Sequence, residues 1–407
     1  DITVTDAISV SSGGATLTLQ AGRAIDINAN ITTNNGALTL TANDTTSNGV
    51  VDGQRDSGAA VITLKSGTTM NTGSGVFTST IRAGTGKTNL TSGDITLSSV
   101  TAGSLVVTNS GPTSGSDILD NGVLTIAGVT TLVAGGNDIT LDTSTNNFAT
   151  VVITSGRNVA LRDAGAIILG ASTVSGTYSV TADGNITDDG ALVITGLTTL
   201  VAGTGIITLD HISNDFQGGL IISSSGNVVL RDVGAIDLGA ATVSGTYSVT
   251  AGGAITDSGT QEITGVTTLV AGGYDITLDT STNNFAAAVV ITSGRNVAIT
   301  DEDAIDLGAS TVSGTYGITA GGAITDSGTQ EIAGVTTLAA GSSNDITLDT
   351  STNNFAAAVV ITSGRNVAIT DEDAIVLGAS TVSGTYAVTA TTGDITDSGN
   401  LTITGAA

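Results

Sequence analysis

The sequence is poor in the residues from which most enzyme sites and compact cores are built. Its 407 residues include no cysteine, no tryptophan, one histidine and one proline, and aromatic residues make up 2% of the chain. A protein without cysteine has neither disulfides nor thiolate metal sites, and a lone histidine, His211, cannot form a His-rich metal site. The missing cysteines fit both a cytosolic protein and a secreted one, so they do not fix the compartment.

Basic residues are also scarce. The chain has 10 Lys and Arg against 36 Asp and Glu, which gives a formal net charge of −26 at pH 7. Nucleic acids and anionic membrane surfaces are bound by cationic faces, so neither is expected as a partner. No apolar run reaches the ~18 residues that a membrane span requires, and membrane insertion is not expected either.

What the sequence has instead is internal repetition. Ile276–Tyr316 and Ile346–Tyr386 are the same 41 residues apart from one position, Asp306 against Val376. Weaker copies run over Ile139–Tyr178 and Ile207–Tyr247. We therefore predict four copies of a ~69-residue repeat over residues 128–407. Because a catalytic site is usually unique in a chain, the repetition predicts that the protein is not an enzyme and needs no cofactor.

A shorter period lies inside each copy. Three similar phrases of about 20 to 27 residues alternate apolar and polar residues and are separated by Gly, Asn, Asp and Ser. This pattern predicts an all-β parallel β-helix, a solenoid with three short strands per turn, three turns per repeat and essentially no helix. At about 22 residues a turn, the chain would form roughly 18 turns.

The one difference between the closest copies indicates which side chains point inward. Alternation places Ile305 and Leu307 in the core and residue 306 outside, where Asp and Val are equally tolerated. By the same logic, the core of the first copy is predicted to contain the following residues: Ile139, Leu141, Val159, Leu161, Ile167 and Leu169.

Residues 1–127 have the same alternation with less regular spacing. They are predicted to form irregular turns of the same β-helix. Two polar, Gly-rich segments, 43–60 and 108–121, are predicted to be loops, and the second contains the only proline, Pro112.

Aspartates recur where the second strand of each phrase ends. Stacked turns would bring these carboxylates into a column with neighbours about 5 Å apart, where a divalent cation would relieve their repulsion. The cation would be Ca²⁺, held by carboxylate and carbonyl oxygens. The alternative is that Asp serves only as a corner residue in solvated turns. The candidate ligands are Asp142, Asp163, Asp188, Asp279, Asp301, Asp303, Asp349, Asp371 and Asp373.

The recurring tyrosines and phenylalanines allow two interpretations. Tyr178, Tyr247, Tyr316 and Tyr386 follow each other at steps of 69, 69 and 70 residues and could form a sparse contact surface. The alternative is that they and the four repeat phenylalanines pack against corners or cover the core.

The repeats resemble those of a known family. Segments 17–27 and 31–42, which read LTLQAGRAIDI and ITTNNGALTLTA, look like the shaft repeats of filamentous-haemagglutinin-like exoproteins, which bacteria export by two-partner secretion. The resemblance implies a right-handed coil, an extracellular or cell-surface location and a role in adhesion or a biofilm matrix. The family's secretion domain carries Asn-Pro motifs, and this sequence has no Asn-Pro pair.

Two functions lead at this level, and a β-helical polysaccharide lyase or hydrolase is kept in reserve, because no unique carboxylate and base cluster interrupts the repeats. The first is a non-enzymatic shaft of a secreted or cell-surface adhesin or matrix protein, and the second is a self-assembling extracellular filament whose subunits join end to end through exposed β-helix edges. The expected partners are other cell surfaces, glycans or further copies of the chain.

Overall fold

The computed structural model describes residues 1–82, 92–111, 115–224 and 226–405. Within these ranges the protein consists of short β-strands, with two 3₁₀ turns at Thr46–Asn48 and Asp52–Gln54 as the helical segments. The all-β prediction is therefore confirmed. Over the same residues, no helix has the length and apolar character to cross a membrane.

The strands are short and follow one another closely along the chain. Those of the N-terminal half are β1 (Ile2–Val4), β2 (Ile8–Ser9), β3 (Leu17–Gln20), β4 (Ile25–Ile27), β5 (Ile31–Thr32), β6 (Leu38–Ala42), β7 (Ala60–Leu64), β8 (Thr69–Asn71), β9 (Val76–Ile81), β10 (Ser92–Leu97), β11 (Ser99–Ala102), β12 (Ser104–Asn109), β13 (Ile118–Asp120), β14 (Leu124–Val133), β15 (Ile139–Leu141), β16 (Asn147–Ser155), β17 (Val159–Asp163), β18 (Ile167–Leu169), β19 (Ser172–Val174), β20 (Tyr178–Ala182), β21 (Ile186–Asp188), β22 (Leu192–Ile194), β23 (Thr198–Val201), β24 (Ile207–Leu209) and β25 (Asp215–Phe216).

The C-terminal half continues in the same way. Its strands are β26 (Leu220–Ser224), β27 (Val228–Asp232), β28 (Ile236–Val243), β29 (Tyr247–Ala251), β30 (Ile255–Asp257), β31 (Gln261–Ile263), β32 (Thr267–Val270), β33 (Ile276–Leu278), β34 (Asn284–Phe285), β35 (Val289–Gly294), β36 (Val297–Asp301), β37 (Ile305–Val312), β38 (Tyr316–Ala320), β39 (Ile324–Asp326), β40 (Gln330–Ile332), β41 (Thr336–Ala339), β42 (Ile346–Leu348), β43 (Asn354–Phe355), β44 (Val359–Ser363), β45 (Val367–Asp371), β46 (Ile375–Leu377), β47 (Ser380–Val382), β48 (Tyr386–Ala390), β49 (Ile395–Asp397) and β50 (Leu401–Ile403).

The predicted inward and outward positions are confirmed. Ile305 and Leu307 are 1% and 0% exposed, whereas Asp306 between them is partly exposed. The six core positions predicted for the first copy are likewise buried. Each strand pairs in parallel with the strand one turn further on, so buried aliphatic side chains stack in columns, as Ile139 does on Val159.

The chain divides into two compact units. The first comprises residues 1–206 and 213–216, and the second comprises 207–212 and 217–407. In the first unit, one column of parallel strands runs β1, β4, β7, β10, β13, β15, β17, β20 and β23. The strands between successive members of this column complete each turn, so the first unit is a parallel β-solenoid.

The second unit has two columns that alternate along the chain. We call the column β26, β28, β30, β33, β36, β38, β41, β44, β46, β49 the first face. The second face is the column β24, β27, β29, β32, β35, β37, β39, β42, β45, β48. In a typical turn one face is a single longer strand, and the other is a pair of short strands such as β30 and β31. The prediction of three strands per turn is confirmed.

The predicted repeat of three turns is wrong by half a turn. Seven successive pairings lead along the second face from Val228 in β27 to Val367 in β45, and these residues lie two repeats apart in the sequence. The intermediate copy, Val297 in β36, lies on the first face. One repeat is therefore seven half-turns.

An extra strand produces the half-turn. Each repeat contains three turns of three strands followed by one more strand, which is β35 in the third copy. Val289 and Ile291 of β35 pair with Leu307 and Ser310, so this single strand spans the two halves of β37. The longer strand and the short pair therefore exchange faces once per repeat.

Two segments outside the repeats depart from regular strands. Between β6 and β7 the chain contains only the two 3₁₀ turns, within the predicted loop 43–60. The predicted loop 108–121 overlaps strand residues at both ends, Thr108–Asn109 of β12 and Ile118–Asp120 of β13. Residues 112–114, with the single proline, lie outside the described residues.

Candidate functional site

The first class of recurring aspartate is buried at the end of a strand. Asp163, Asp232, Asp301 and Asp371 are 0–2% exposed. The Oδ2 atom of Asp301 accepts a hydrogen bond from the amide of Phe285 at 2.9 Å, and its Oδ1 accepts one from the amide of Asp303 at 2.8 Å.

The other buried carboxylates make the same contacts. Asp371 accepts from the amides of Phe355 and Asp373, at 2.9 and 2.8 Å, and Asp163 accepts from those of Phe148 and Gly165, at 2.6 and 2.7 Å. These carboxylates thus close the corner by satisfying amides that would otherwise be buried without a partner.

Burial affects the ionisation of these groups. It raises the pKa of the Asp163 and Asp301 carboxyls, and the hydrogen bonds from the backbone amides oppose the rise. The amides of Asp303 and Asp373 are donors to the buried carboxylates, while their own side chains are exposed.

A second class of aspartate forms a clip with a buried asparagine. Asn283 is fully buried; its Nδ2 donates to Oδ2 of Asp257 at 2.6 Å, and its Oδ1 accepts from the amide of Gln261 at 2.9 Å. Asp257 also accepts from the amides of Asp279 and Thr280, one turn further on. The clip fixes the register between successive turns.

The clip recurs in the other copies. The buried asparagines Asn146, Asn214 and Asn353 donate to Asp120, Asp188 and Asp326 at 2.6–2.7 Å. Asp142 and Asp349 occupy the position of Asp279, with their amides donating to the clip aspartate. Burial raises the pKa of Asp120, against the hydrogen bond from Asn146.

The predicted single column of aspartates is wrong. The residue that stacks on Asp163 is Ala182, and the residues that stack on Asp301 and Asp371 are Ala320 and Ala390. Asp188 stacks on Leu169. Over the described part of the chain, no three acidic or histidine side chains are grouped as a metal site would require. The nine calcium candidates lie instead in two structural roles, and calcium binding stays a prediction.

An exposed ion pair also recurs. Arg295 donates through Nε and Nη2 to the two carboxylate oxygens of Asp275, at 2.8 and 2.7 Å, and Asn296 donates to the same carboxylate at 3.0 Å. The pairs Arg157–Asp138 and Arg365–Asp345 repeat this geometry. The guanidinium hydrogen bond is the main cause that lowers the pKa of all three carboxyls.

The remaining copy lacks both members of this pair. Ile206 stands at the position of Asp138, and Gly226 stands at that of Arg157. The second copy thus lacks both the acidic and the basic residue. This fits a direct pairing, because either charge alone would be left without its partner.

Most of the repeat tyrosines and phenylalanines belong to the core. Tyr178, Tyr247 and Tyr316 are 1%, 1% and 0% exposed, and burial raises the pKa of each phenol. The four repeat phenylalanines are also buried, with Phe285 1% exposed. Of the two interpretations of the tyrosine period, core packing is confirmed for these three, and Tyr386 is partly exposed.

A buried arginine holds the segment between β6 and β7. The Arg55 side chain is fully buried; its guanidinium donates to the carbonyl oxygens of Gly22 and Asp44 and, at 3.0 Å, to Oδ1 of Asp52. The Asp44 carboxylate is buried in the same corner and pairs with Arg82 at 2.8 Å. Sequence reasoning missed this group of buried contacts, because neither Arg55 nor Asp44 belongs to a repeated motif.

These contacts share a structural character. The recurring carboxylates accept hydrogen bonds from backbone amides, asparagines or arginines, and these partners hold one turn against the next. They define a structural repeat protein of the β-solenoid class.

The sequence matches a family described as repeats of unknown function (DUF5649) over residues 83–155, 156–223, 225–292, 294–362 and 364–407. The chain belongs to this family. No curated protein and no solved structure matches the chain. The matches from 156 onward begin every 69 or 70 residues, which is the period of the repeat tyrosines.

Proposed function

We propose that this protein is a non-enzymatic structural shaft of a secreted or cell-surface bacterial adhesin or matrix protein. The observation that carries the proposal is the reuse of the same buried contacts in successive copies. Asp301 with Phe285 and Asp371 with Phe355 are bonded at the same 2.9 Å, one repeat apart. A scaffold that supplies length reuses one set of contacts, whereas catalysis requires a constellation that differs from its surroundings.

The resemblance of segments 17–27 and 31–42 to exported shafts supports the extracellular location. The excess of 26 negative charges favours solubility in any compartment. The proposed partners are other cell surfaces, glycans or further copies of the chain.

The test is to shorten the shaft in the source bacterium without altering its faces. Removing residues 228–366 deletes two repeats, or seven whole turns, and joins Asn227 to Val367, in the sequence context that Asn366 has now. Fluorescent antibody to the chain should label intact cells equally in both strains. Adhesion or matrix formation should fall in the shortened strain.

Two results would contradict the proposal. One is antibody labelling only after the cells are permeabilised. The other is unchanged adhesion and matrix at equal surface labelling. As a matched control, replacing Asp306 by Val makes the third copy identical to the fourth over these 41 residues and should have no effect.

A further inference from the structure

A narrow groove lies beside a short strand pair of the second unit. It has a volume of about 310 Å³ and lies over the second half of β37, β40 and β43. Outward side chains form two columns of three: Thr311, Glu331 and Asn354 in one, and Ser313, Ala333 and Ala356 in the other. Each successive member of a column is one turn, or about 4.8 Å, further along the solenoid.

The two columns differ in chemistry. One presents a hydroxyl, a carboxylate and an amide on consecutive turns, and Asn354 is held by a 3.3 Å hydrogen bond to Oε1 of Glu372. The other column has only small side chains, so that a ligand can approach the backbone. The underlying Val312 and Ile332 are buried and give the groove a rigid floor.

The same columns occur one repeat earlier. Thr242 pairs with Glu262, and Glu262 with Asn284, in the register of Thr311, Glu331 and Asn354. The earlier strip belongs to the first face and the later strip to the second, because one repeat is seven half-turns. The two sets of columns therefore lie on opposed faces, about 17 Å apart along the axis, and the earlier set is expected to border an equivalent groove.

Spacing and charge decide which polymer fits. In an extended peptide, side chains on one side recur about every 6.6 Å, which does not match turns spaced about 4.8 Å apart. A pyranose ring in an extended glycan advances by about one turn spacing, so that each ring would meet one polar side chain. Hydroxyl, carboxylate and amide groups are suitable partners for sugar hydroxyls, and the net charge of −26 disfavours a glycan with acid groups.

We propose that these grooves bind a neutral glycan chain running along the solenoid axis, with Glu262 and Glu331 accepting hydrogen bonds from its hydroxyls. One protein chain would then hold two glycan strands on opposed faces, which is a cross-linking arrangement. This inference specifies the glycan class among the proposed partners and in that respect rests on the proposed function, but its binding test can fail independently of the shortened-shaft test.

The test is isothermal titration of the full chain with hexasaccharides of β-linked glucose and of β-linked N-acetylglucosamine. Polygalacturonate and oligolysine serve as anionic and cationic comparisons. At least one neutral hexasaccharide should bind, and E262A/E331A should weaken it about tenfold or more. E331A alone should remove one class of site and leave the site at Glu262.

Two further variants separate the groove from general effects. T264W/A333W fills both grooves from exposed positions and should abolish binding. D237N/D306N removes two acidic side chains from equivalent outward positions elsewhere in the repeats and should bind as the native chain does. The fold of every variant is checked by circular dichroism.

The proposal is overturned if neither neutral hexasaccharide binds at millimolar concentration. It is also overturned if binding survives in T264W/A333W, or if polygalacturonate binds as tightly as the neutral probes. If only oligolysine binds, equally in all variants and not at high salt, the acidic surface attracts cations non-specifically. That result would overturn the glycan proposal.

Discussion

Neighbouring asparagines in the repeat have opposite roles. Asn283 is fully buried in the clip with Asp257 and Gln261, whereas Asn284 next to it lies partly exposed in the groove. Alternation along a strand determines which of the two enters the core. The clip depends on a single side chain that bonds in both directions along the solenoid.

We expect Asn283→Ala to destabilise its turns by about 2–3 kcal/mol, because a buried amide of Gln261 and the Asp257 carboxylate both lose a partner. Hydrogen exchange at the Gln261 amide should become roughly 30-fold faster or more. Asn284→Ala is the matched control and should leave this amide protected. Equal effects of the two substitutions would contradict the clip.

The carboxyl groups also predict a pH dependence. The pKa of Asp163 and Asp301 is raised in the folded state, so their contribution to stability is full below about pH 3.9 and is lost as pH rises through the raised values. The pKa of Asp138, Asp275 and Asp345 is lowered, so their contribution is present above about pH 3.9 and lost as pH falls further.

The thermal midpoint should therefore fall as pH rises through the raised pKa of Asp163 and Asp301, and should also fall below about pH 3. Calorimetry at constant ionic strength measures it. Replacing Asp163 and Asp301 by Asn should make the fall with rising pH smaller; the remainder comes from Asp120, whose pKa burial also raises, and from general charge repulsion. An unchanged pH dependence in the Asn variant would contradict this assignment.

At the scale of elements, the extra strand in each repeat is decisive. The segment containing β35 adds about half a turn after three complete turns, so equivalent residues of successive copies lie on opposed faces. A surface feature that every repeat carries therefore occurs on both faces of the second unit. A repeat of whole turns would present it on one side only.

Spin labels can test this arrangement, because the chain has no native cysteine. Ser248, Gly317 and Ala387 each follow a repeat tyrosine. With cysteines at 248 and 387, both on the second face and seven turns apart, we expect a backbone separation of about 34 Å. The pair 248 and 317 should be separated across the solenoid as well as along it.

A repeat of three whole turns would give different distances. It would place 248 and 317 on one face about 14 Å apart, and 248 and 387 about 29 Å apart. Double electron–electron resonance distinguishes the two cases. Cysteines at 248 and 325 calibrate the measurement, since four pairings along one face separate them, or about 19 Å.

For the whole molecule, the dominant physical quantity is the net charge of −26. Like charges on the surface repel and favour unfolding, and salt screens the repulsion over about 10 Å at 0.1 M. The basic residues are too few to offset this charge, and three of them are committed to the recurring pairs with Asp138, Asp275 and Asp345.

Raising sodium chloride from 0.02 to 0.5 M should therefore raise the thermal midpoint, as a general screening effect. Calcium should raise it no more than magnesium at equal ionic strength, because the Asp301 and Asp371 carboxylates are bonded to amides and stack on alanines. A larger rise with calcium that is reversed by a chelator, and that D303N/D373N abolishes, would instead support the calcium prediction.

The local pattern of the sequence was sufficient for the main features of the fold. The alternation around Ile305 and Leu307, the corner residues between phrases and the 69-residue period predict parallel β-strands, an aliphatic core and outward position 306. Period-2 alternation has this power because each inward side chain must find an apolar environment whatever its partner strand is. The prediction of a single column of aspartates is wrong, because it depended on which residues stack on each other in successive turns.

What the sequence determined by itself is therefore the content of each turn: which residues form strands, which point inward and where the chain bends. Only the tertiary structure decided how turns align, placing Ala182 on Asp163 and Val297 on the face opposite to Val228. The reason is physical. Register depends on hydrogen bonds between strands about 20 residues apart, and the extra strand that shifts it has the same alternating sequence as every other strand.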